Sequence, residues 1–183
     1  MIARALAAAL VLAGTASAAP WKAPRGTLEA GRLEGSFLLS SDAAPGRYSE
    51  ASMITTDAVT LPYSLSATWR RLGPEAGRSM HVLVAGGVVL VKSGAIAFYA
   101  YDDTAFAQGA WRPLAGHLAQ AEHAIAVHQD HHTIVVSIDG AEVARYALEV
   151  ARESAFVGFG MKSAPGLRSA IYVRGIALAH SPQ

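Results

Sequence analysis

The stretch from His123 to Leu148 constrains the fold more than any other part of the chain. It reads HAIAVH, then QDHH, then TIVVSI, then DG, then AEVARYAL. In an extended strand successive side chains point to opposite faces, so Ile125 and Val127 share one face, as do Ile134, Val136 and Ile138. Asp139-Gly140 sits where a two-residue hairpin loop needs positive φ, a conformation that Gly and Asp reach at low cost. An amphipathic helix needs apolar residues every third or fourth position. This stretch has them at every second.

The same pattern recurs elsewhere. Ser64 to Leu72, SLSATWRRL, alternates Leu65, Ala67 and Trp69 against Ser66, Thr68 and Arg70. MHVLVAGGVVLVKSGAIAFYAYDD predicts a strand, a Gly86-Gly87 turn, a strand, a Ser93-Gly94 turn and a third strand. Ala155 to Lys162, a Pro165-Gly166 turn, and Ser169 to Ala179 add two more strands. Trp69 and Phe156 are read as core residues, and Arg168 and Arg174 as solvated strand ends. Helical periodicity is weak: Pro113 and Gly116 limit Trp111 to His123 to a short turn, and Ala147 to Ala155 holds either a helical turn or a loop. About ten to twelve short strands with turns between them predict an all-β fold with little helix, an antiparallel sandwich or barrel.

The N-terminus reads differently. Arg4, an apolar run from Ala5 to Ala13 and the small-x-small site Ala16-Ser17-Ala18 have the layout of a secretory signal peptide over residues 1–18. Residues 19–26, with Trp21 and Pro24, form an extended lead-in, and residues 27–180 a single β-sandwich domain. The chain has no Cys, so disulfides, thiolate nucleophiles and Cys-bound zinc are excluded. An exported domain without disulfides fits a bacterial periplasm or exterior. Removing Arg4 with the leader leaves the 15 Lys and Arg one fewer, level with the 14 Asp and Glu. A neutral mature chain has no general attraction to nucleic acid or anionic membranes. No later segment is apolar for long enough to span a bilayer as a helix, so no membrane insertion is expected after leader removal.

HAIAVHQDHHTIVVSIDGAEVARYAL followed by FVGFGMKSAPGLRSAIYVRGIAL resembles the C-terminal half of the concanavalin A-like lectin/glucanase superfamily, which includes laminin G-like domains. Ile138-Asp139-Gly140 with Val143 match its hairpin, Val157-Gly158-Phe159-Gly160 its apolar-Gly strand, and Ser169 to Leu178 its returning strand. The resemblance implies a jelly-roll sandwich. It leaves function open, because the superfamily includes lectins, glycosidases, lyases and adhesion modules.

Retaining glucanases of that superfamily carry an E-x-D-x-x-E strand, whose spacing aims acids at one face. This chain lacks it: Glu29 and Glu34 are five apart, and Asp102 and Asp103 are adjacent. It also lacks a Gly-x-Ser-x-Gly elbow, and nothing selects a Ser-His-Asp triad among the seven His. Asp139 reads as a turn residue. His128, Asp130, His131 and His132 have side chains that ligate zinc or copper. If Asp130-His131 centre a tight hairpin, however, His128 and His132 face opposite ways. The favoured reading is a solvated loop tip, with metal binding as the minority alternative.

A pyranose ring has apolar C–H faces and polar edges, so sugar sites combine an aromatic platform with hydrogen-bonding groups. In IAFYAYDD, Ile96, Phe98 and Ala100 point one way and Tyr99, Tyr101 and Asp103 the other. If their strands are neighbours, Arg70, His81, Tyr99, Tyr101 and Asp103 line one face and Trp111 closes its rim. The expectation is a cofactor-free domain that binds a glycan or cell-envelope component without catalysis. The alternatives are a glycoside-active hydrolase or lyase of the same fold, and a structural or interaction module with no small ligand.

Overall fold

The computed structural model describes residues 21–72, 79–92, 94–101, 106–107, 110–114 and 122–180. The expected leader and cleavage site lie outside them. In chain order the strands are β1 (Trp21–Arg25), β2 (Thr27–Ala30), β3 (Phe37–Asp42), β4 (Ser49–Thr55), β5 (Val59–Thr60), β6 (Tyr63–Leu72), β7 (Ser79–Val84), β8 (Gly87–Lys92) and β9 (Ala95–Tyr101). They continue as β10 (Phe106–Ala107), β11 (Arg112–Pro113), β12 (Glu122–Gln129), β13 (Thr133–Ile138), β14 (Ala141–Ala147), β15 (Ser154–Ala155), β16 (Gly158–Ser163) and β17 (Arg168–His180).

Two large antiparallel sheets form a sandwich. The first runs β1-β4-β16-β7-β8-β9-β10, with β11 also on β9, and the second runs β14-β13-β12-β6-β17-β3-β2. A small third sheet pairs β15 with β5. All pairings are antiparallel, as the alternation predicts. The second sheet buries Tyr63, Leu65 and Trp69 of β6, Ile125 and Val127 of β12, and Ile134 and Val136 of β13. Met53 of β4, Met80 and Val82 of β7, Val89 and Val91 of β8, and Phe159 and Met161 of β16 meet them from the first sheet. Each large apolar side chain so buried contributes about 1.5–3 kcal/mol relative to exposure. Among the described residues no helix is long and apolar enough to cross a membrane.

A buried polar contact joins the sheets. Gln129, on β12, is fully buried and bonds the backbone of Ala85 in the β7–β8 turn, donating Nε2–H to its carbonyl at 2.8 Å and accepting its N–H at 2.9 Å. The Tyr63 hydroxyl donates to the same Gln129 Oε1 at 2.6 Å.

The Asp139-Gly140 turn has the expected form, with φ of 52° and 82°. Other local expectations are corrected. The β7–β8 loop is Ala85-Gly86 rather than Gly86-Gly87, because Val84 pairs with Gly87. Gly87 is required in the strand itself: a Cβ there would stand 2.3 Å from the Tyr99 carbonyl oxygen. From Trp21 the lead-in is a hydrogen-bonded edge strand on β4. Phe156 is an exposed residue rather than a core one, with the Lys22 ammonium 4.7 Å from its ring centre. The stretch from Ala147 to Ala155 contains no helical turn: it is the end of β14, a loop and β15. Arg168 stands 3.5 Å from Asp42, and Arg174 ion-pairs with Glu122.

Candidate functional site

The outward face of the first sheet carries a groove of about 850 Å³, within the usual range for small-ligand sites. Directly opposed residues on neighbouring antiparallel strands project to the same side, so the pairing register lays out its floor in rows. One row runs Ile54, Gly158, Leu83, Val88, Tyr99 across β4, β16, β7, β8 and β9. The next runs Arg25, Ser52, Gly160, His81, Leu90. A third begins Glu50, Lys162, Ser79. Strand β16 therefore turns two glycines, Gly158 and Gly160, to this outward face, with Phe159 and Met161 turned into the core.

Those glycines are required by close backbone approach. A Cβ on Gly158 would lie 1.9 Å from the Met53 carbonyl oxygen, and one on Gly160 would lie 2.9 Å from that of Ala51. Aromatic rings rise beside the groove: Tyr99 and Trp111 meet edge to face at 6.3 Å, and Tyr48 and Tyr101 also line the wall.

The polar groups are held in place. His81 is half-buried, and its Nε2 and the Ser79 hydroxyl are 2.9 Å apart. Burial pushes the His81 imidazole down to about 4, against a smaller upward pull from Glu50, so His81 is neutral at pH 7. Arg25 donates to Glu50 Oε2 at 2.5 Å, while Lys162 Nζ stands 3.9 Å from Oε1. The Lys162 ammonium is 4.9 Å from the Tyr48 ring centre and that of Lys92 is 4.2 Å from the Trp111 ring centre. Burial also raises the Tyr101 hydroxyl above its ordinary value, with a further push from Glu50. The backbone N–H of Tyr101 donates to the Gly86 carbonyl at 2.8 Å.

Of the residues proposed from sequence, the structure brings His81, Tyr99, Tyr101 and Trp111 together. Asp103 lies outside the described residues. Arg70 does not belong to the groove: its strand β6 is in the second sheet, between β12 and β17, and its exposed side chain faces the opposite exterior. Alternation tells which face of a strand is polar and is silent on which sheet holds the strand. Sequence reasoning missed Arg25, Tyr48, Glu50, Lys92, Lys162 and both β16 glycines. A period-2 signal was present in SEASMIT, where Ala51 and Met53 alternate with Glu50, Ser52 and Ile54.

The His loop turns at His131-His132 rather than at Asp130-His131. His128 pairs with Val135 and Gln129 with Ile134, and the Asp130 N–H donates to the Thr133 carbonyl. Asp130 Oδ1 accepts the backbone N–H groups of His132 at 2.8 Å and Thr133 at 2.6 Å. The His132 N–H is the main reason its carboxyl lies below the usual range. His128 Nδ1 lies 3.0 Å from the Ser64 hydroxyl, and His131 donates from Nδ1 to the Arg152 carbonyl at 2.9 Å. Among the described residues no three potential ligands converge on a point. Asp139 does more than turn the chain: it accepts the Ala124 N–H at 2.9 Å and holds His123 Nδ1 at 2.7 Å. His123 is buried against Trp69, 5.8 Å between ring centres.

No protein-family model matches the sequence, and a search of curated proteins finds no match. Solved structures do match. The chain is similar to the carbohydrate recognition domain of Emp47p, with a TM-score of 0.63 at 11% identity over 88% of this chain and 89% of that one. It is similar to the carbohydrate-binding module CBM66 from Bacillus subtilis, with a TM-score of 0.57 at 12% identity over 86% and 94%. It is also similar to a prokaryotic β-1,3-1,4-glucanase (lichenase) derived from a mouse hindgut metagenome, with a TM-score of 0.61 at 15% identity over 89% and 93%. At these identities the likeness establishes the fold, which is the concanavalin A-like jelly roll.

Proposed function

We propose that this concanavalin A-like jelly roll is an exported bacterial protein that binds a carbohydrate or glycan-bearing cell-envelope component in the groove of its first sheet, without catalysis. The observation that carries the reading is the juxtaposition of Tyr99 and Trp111 with the hydrogen-bonding pair Ser79–His81 and the charged rim of Arg25, Glu50, Lys92 and Lys162. Rings offer flat apolar area to sugar C–H faces, and fixed polar groups select hydroxyl orientation. The structural neighbours named as carbohydrate-binding support the ligand class.

Two features support binding over turnover. Among the described residues lining the groove, Glu50 is the one carboxylate, whereas glycoside hydrolysis uses a pair roughly 5–9.5 Å apart. The Ser79–His81 pair resembles half of a nucleophile–base arrangement, but an imidazole depressed to about 4 is a weak base at neutral pH. The reading with turnover, a hydrolase or lyase, draws on that pair and on the likeness to a lichenase. Export rests on the N-terminal layout of Arg4, the apolar run and Ala16-Ser17-Ala18.

A glycan array probed with the full chain and with the double variant Tyr99→Ala plus Trp111→Ala tests the site. Binding by the parent and its loss in the variant supports the assignment. Equal binding, or none by either, overturns it. Release of reducing ends or unsaturated products from bound glycans would replace the binding reading with the enzymatic one. N-terminal sequencing of protein recovered from a bacterial periplasm or medium should begin at Ala19; recovery only in the cytosol with Met1 intact would remove the export claim.

A further inference from the structure

Among the described residues the groove's charge is unbalanced. Among the described residues its lining holds three cations, Arg25, Lys92 and Lys162, against the single carboxylate of Glu50. Glu50 is engaged by Arg25 at 2.5 Å and approached by Lys162 at 3.9 Å. Lys92 has no carboxylate within ion-pair reach among the described residues, and its ammonium rests over Trp111. His81 adds no charge at neutral pH. The imbalance is local, because the chain as a whole is close to neutral.

The register shows where the excess charge is directed. Lys162 of β16 lies opposite Ser79 of β7. Met80 pairs with Val91, so Lys92 continues the same row on the next strand, β8. The two lysines thus start two strand spacings apart, roughly 9–10 Å, on either side of the Ser79 hydroxyl. Their side chains are drawn toward rings on opposite flanks, Lys162 toward Tyr48 and Lys92 toward Trp111. Between them lies a gap floored by Ser79 and His81 and open above.

We propose that the groove selects an anionic saccharide, seating a carboxylate or sulfate substituent over Ser79 between Lys92 and Lys162 while the sugar ring stacks on the Tyr99/Trp111 wall. The inference deepens the carbohydrate-binding reading and rests on it. An anion in that gap accepts from two ammonium groups in a half-enclosed site, where charge-assisted hydrogen bonds are stronger than between solvated partners. A neutral sugar in the same place would leave Lys92 partly desolvated without a counter-charge.

The test uses matched pairs: an oligogalacturonate against its carboxyl-reduced form, and a sulfated dextran oligomer against plain dextran. Each is titrated by calorimetry at neutral pH into the full chain and into Lys92→Gln, Lys162→Gln and Trp111→Ala. The expected result is that the anionic member of at least one pair binds about tenfold tighter than its neutral counterpart. The carboxylate and sulfate arms show which anion is taken. Lys92→Gln and Lys162→Gln should each narrow that gap by weakening the anionic member more than the neutral one, while Trp111→Ala weakens both members alike. Equal or stronger binding of the neutral members overturns charge selection and leaves the carbohydrate reading standing. An anionic preference that survives both lysine substitutions overturns the placement. Absence of binding to all four, together with an array that finds no other glycan, removes both readings.

Discussion

Gln129 on β12 holds both backbone groups of Ala85, the first residue of the β7–β8 turn in the opposite sheet. The next residue, Gly86, accepts the Tyr101 N–H. A side chain buried between the sheets therefore sets the position of a backbone segment that carries one wall of the groove.

Replacing Gln129 with Leu keeps the volume and removes three hydrogen bonds, with Ala85 N–H and C=O and with the Tyr63 hydroxyl. Each polar group left unpaired inside costs about 1–3 kcal/mol. Urea unfolding should show a markedly lower midpoint with an unchanged slope. A midpoint equal to the parent's would mean that water replaces the amide.

The two β16 glycines should differ in tolerance. Gly158→Ala puts a methyl 1.9 Å from a carbonyl oxygen of the adjacent strand, a contact relieved only by separating β16 from β4. It should fail to fold or melt far below the parent. Gly160→Ala meets its nearest oxygen at 2.9 Å and needs a smaller shift. It should fold, lose about 1–3 kcal/mol as overpacking typically does, and bind saccharide more weakly by raising the floor. Comparable melting temperatures for the two variants would contradict this ordering.

The Asp130 carboxylate organises the His loop through two backbone N–H groups, as an N-cap does for a helix. Asp130→Ala should cost about 0.5–2 kcal/mol by that analogy, read as a lower thermal midpoint. Millimolar zinc or EDTA should leave the parent's midpoint unchanged, because a metal bound only by the folded state must raise it. A zinc-dependent rise abolished in His131→Ala would show that the loop rearranges into a metal site.

Acid should weaken the fold through His81. Its folded value of about 4 lies below the ordinary 6.5, so the unfolded chain takes up a proton that the native state refuses. Stability then declines as pH drops from about 6.5 to about 4 and this contribution levels off below. The flanking charges are Glu50, which favours protonation, and Lys162, which opposes it. Asp130 and Asp139 act further down: their carboxyls are held below the usual range, and the stability they add is lost as pH falls through their folded values. Melting curves from pH 7 to 4 should be flatter for His81→Gln than for the parent. Parallel curves would assign the decline to the carboxylates alone.

Read from residues, the strands of the C-terminal half and their inward faces were plain. Thr133 to Ile138 is a strand with the predicted bounds, and Asp139-Gly140 turns as its chemistry requires. Phe156 misled because an aromatic residue beside Val157 looks apolar whether it faces the core or lies in the short link between β15 and β16. Arg70 misled for a different reason. Its polar neighbours share a face with it, but that face looks away from the groove.

The residue pattern by itself determined the local alternation, the Asp139-Gly140 turn and the β-sandwich class, because these follow from backbone geometry within a few residues. The tertiary structure alone decided the groove. Glu50, His81, Tyr99 and Lys162 come from four strands, and pairing β16 between β4 and β7 joins segments far apart in sequence. Long-range register chooses which outward-facing rows are adjacent. Glycine's need at positions 158 and 160 exists only once the neighbouring carbonyls have arrived.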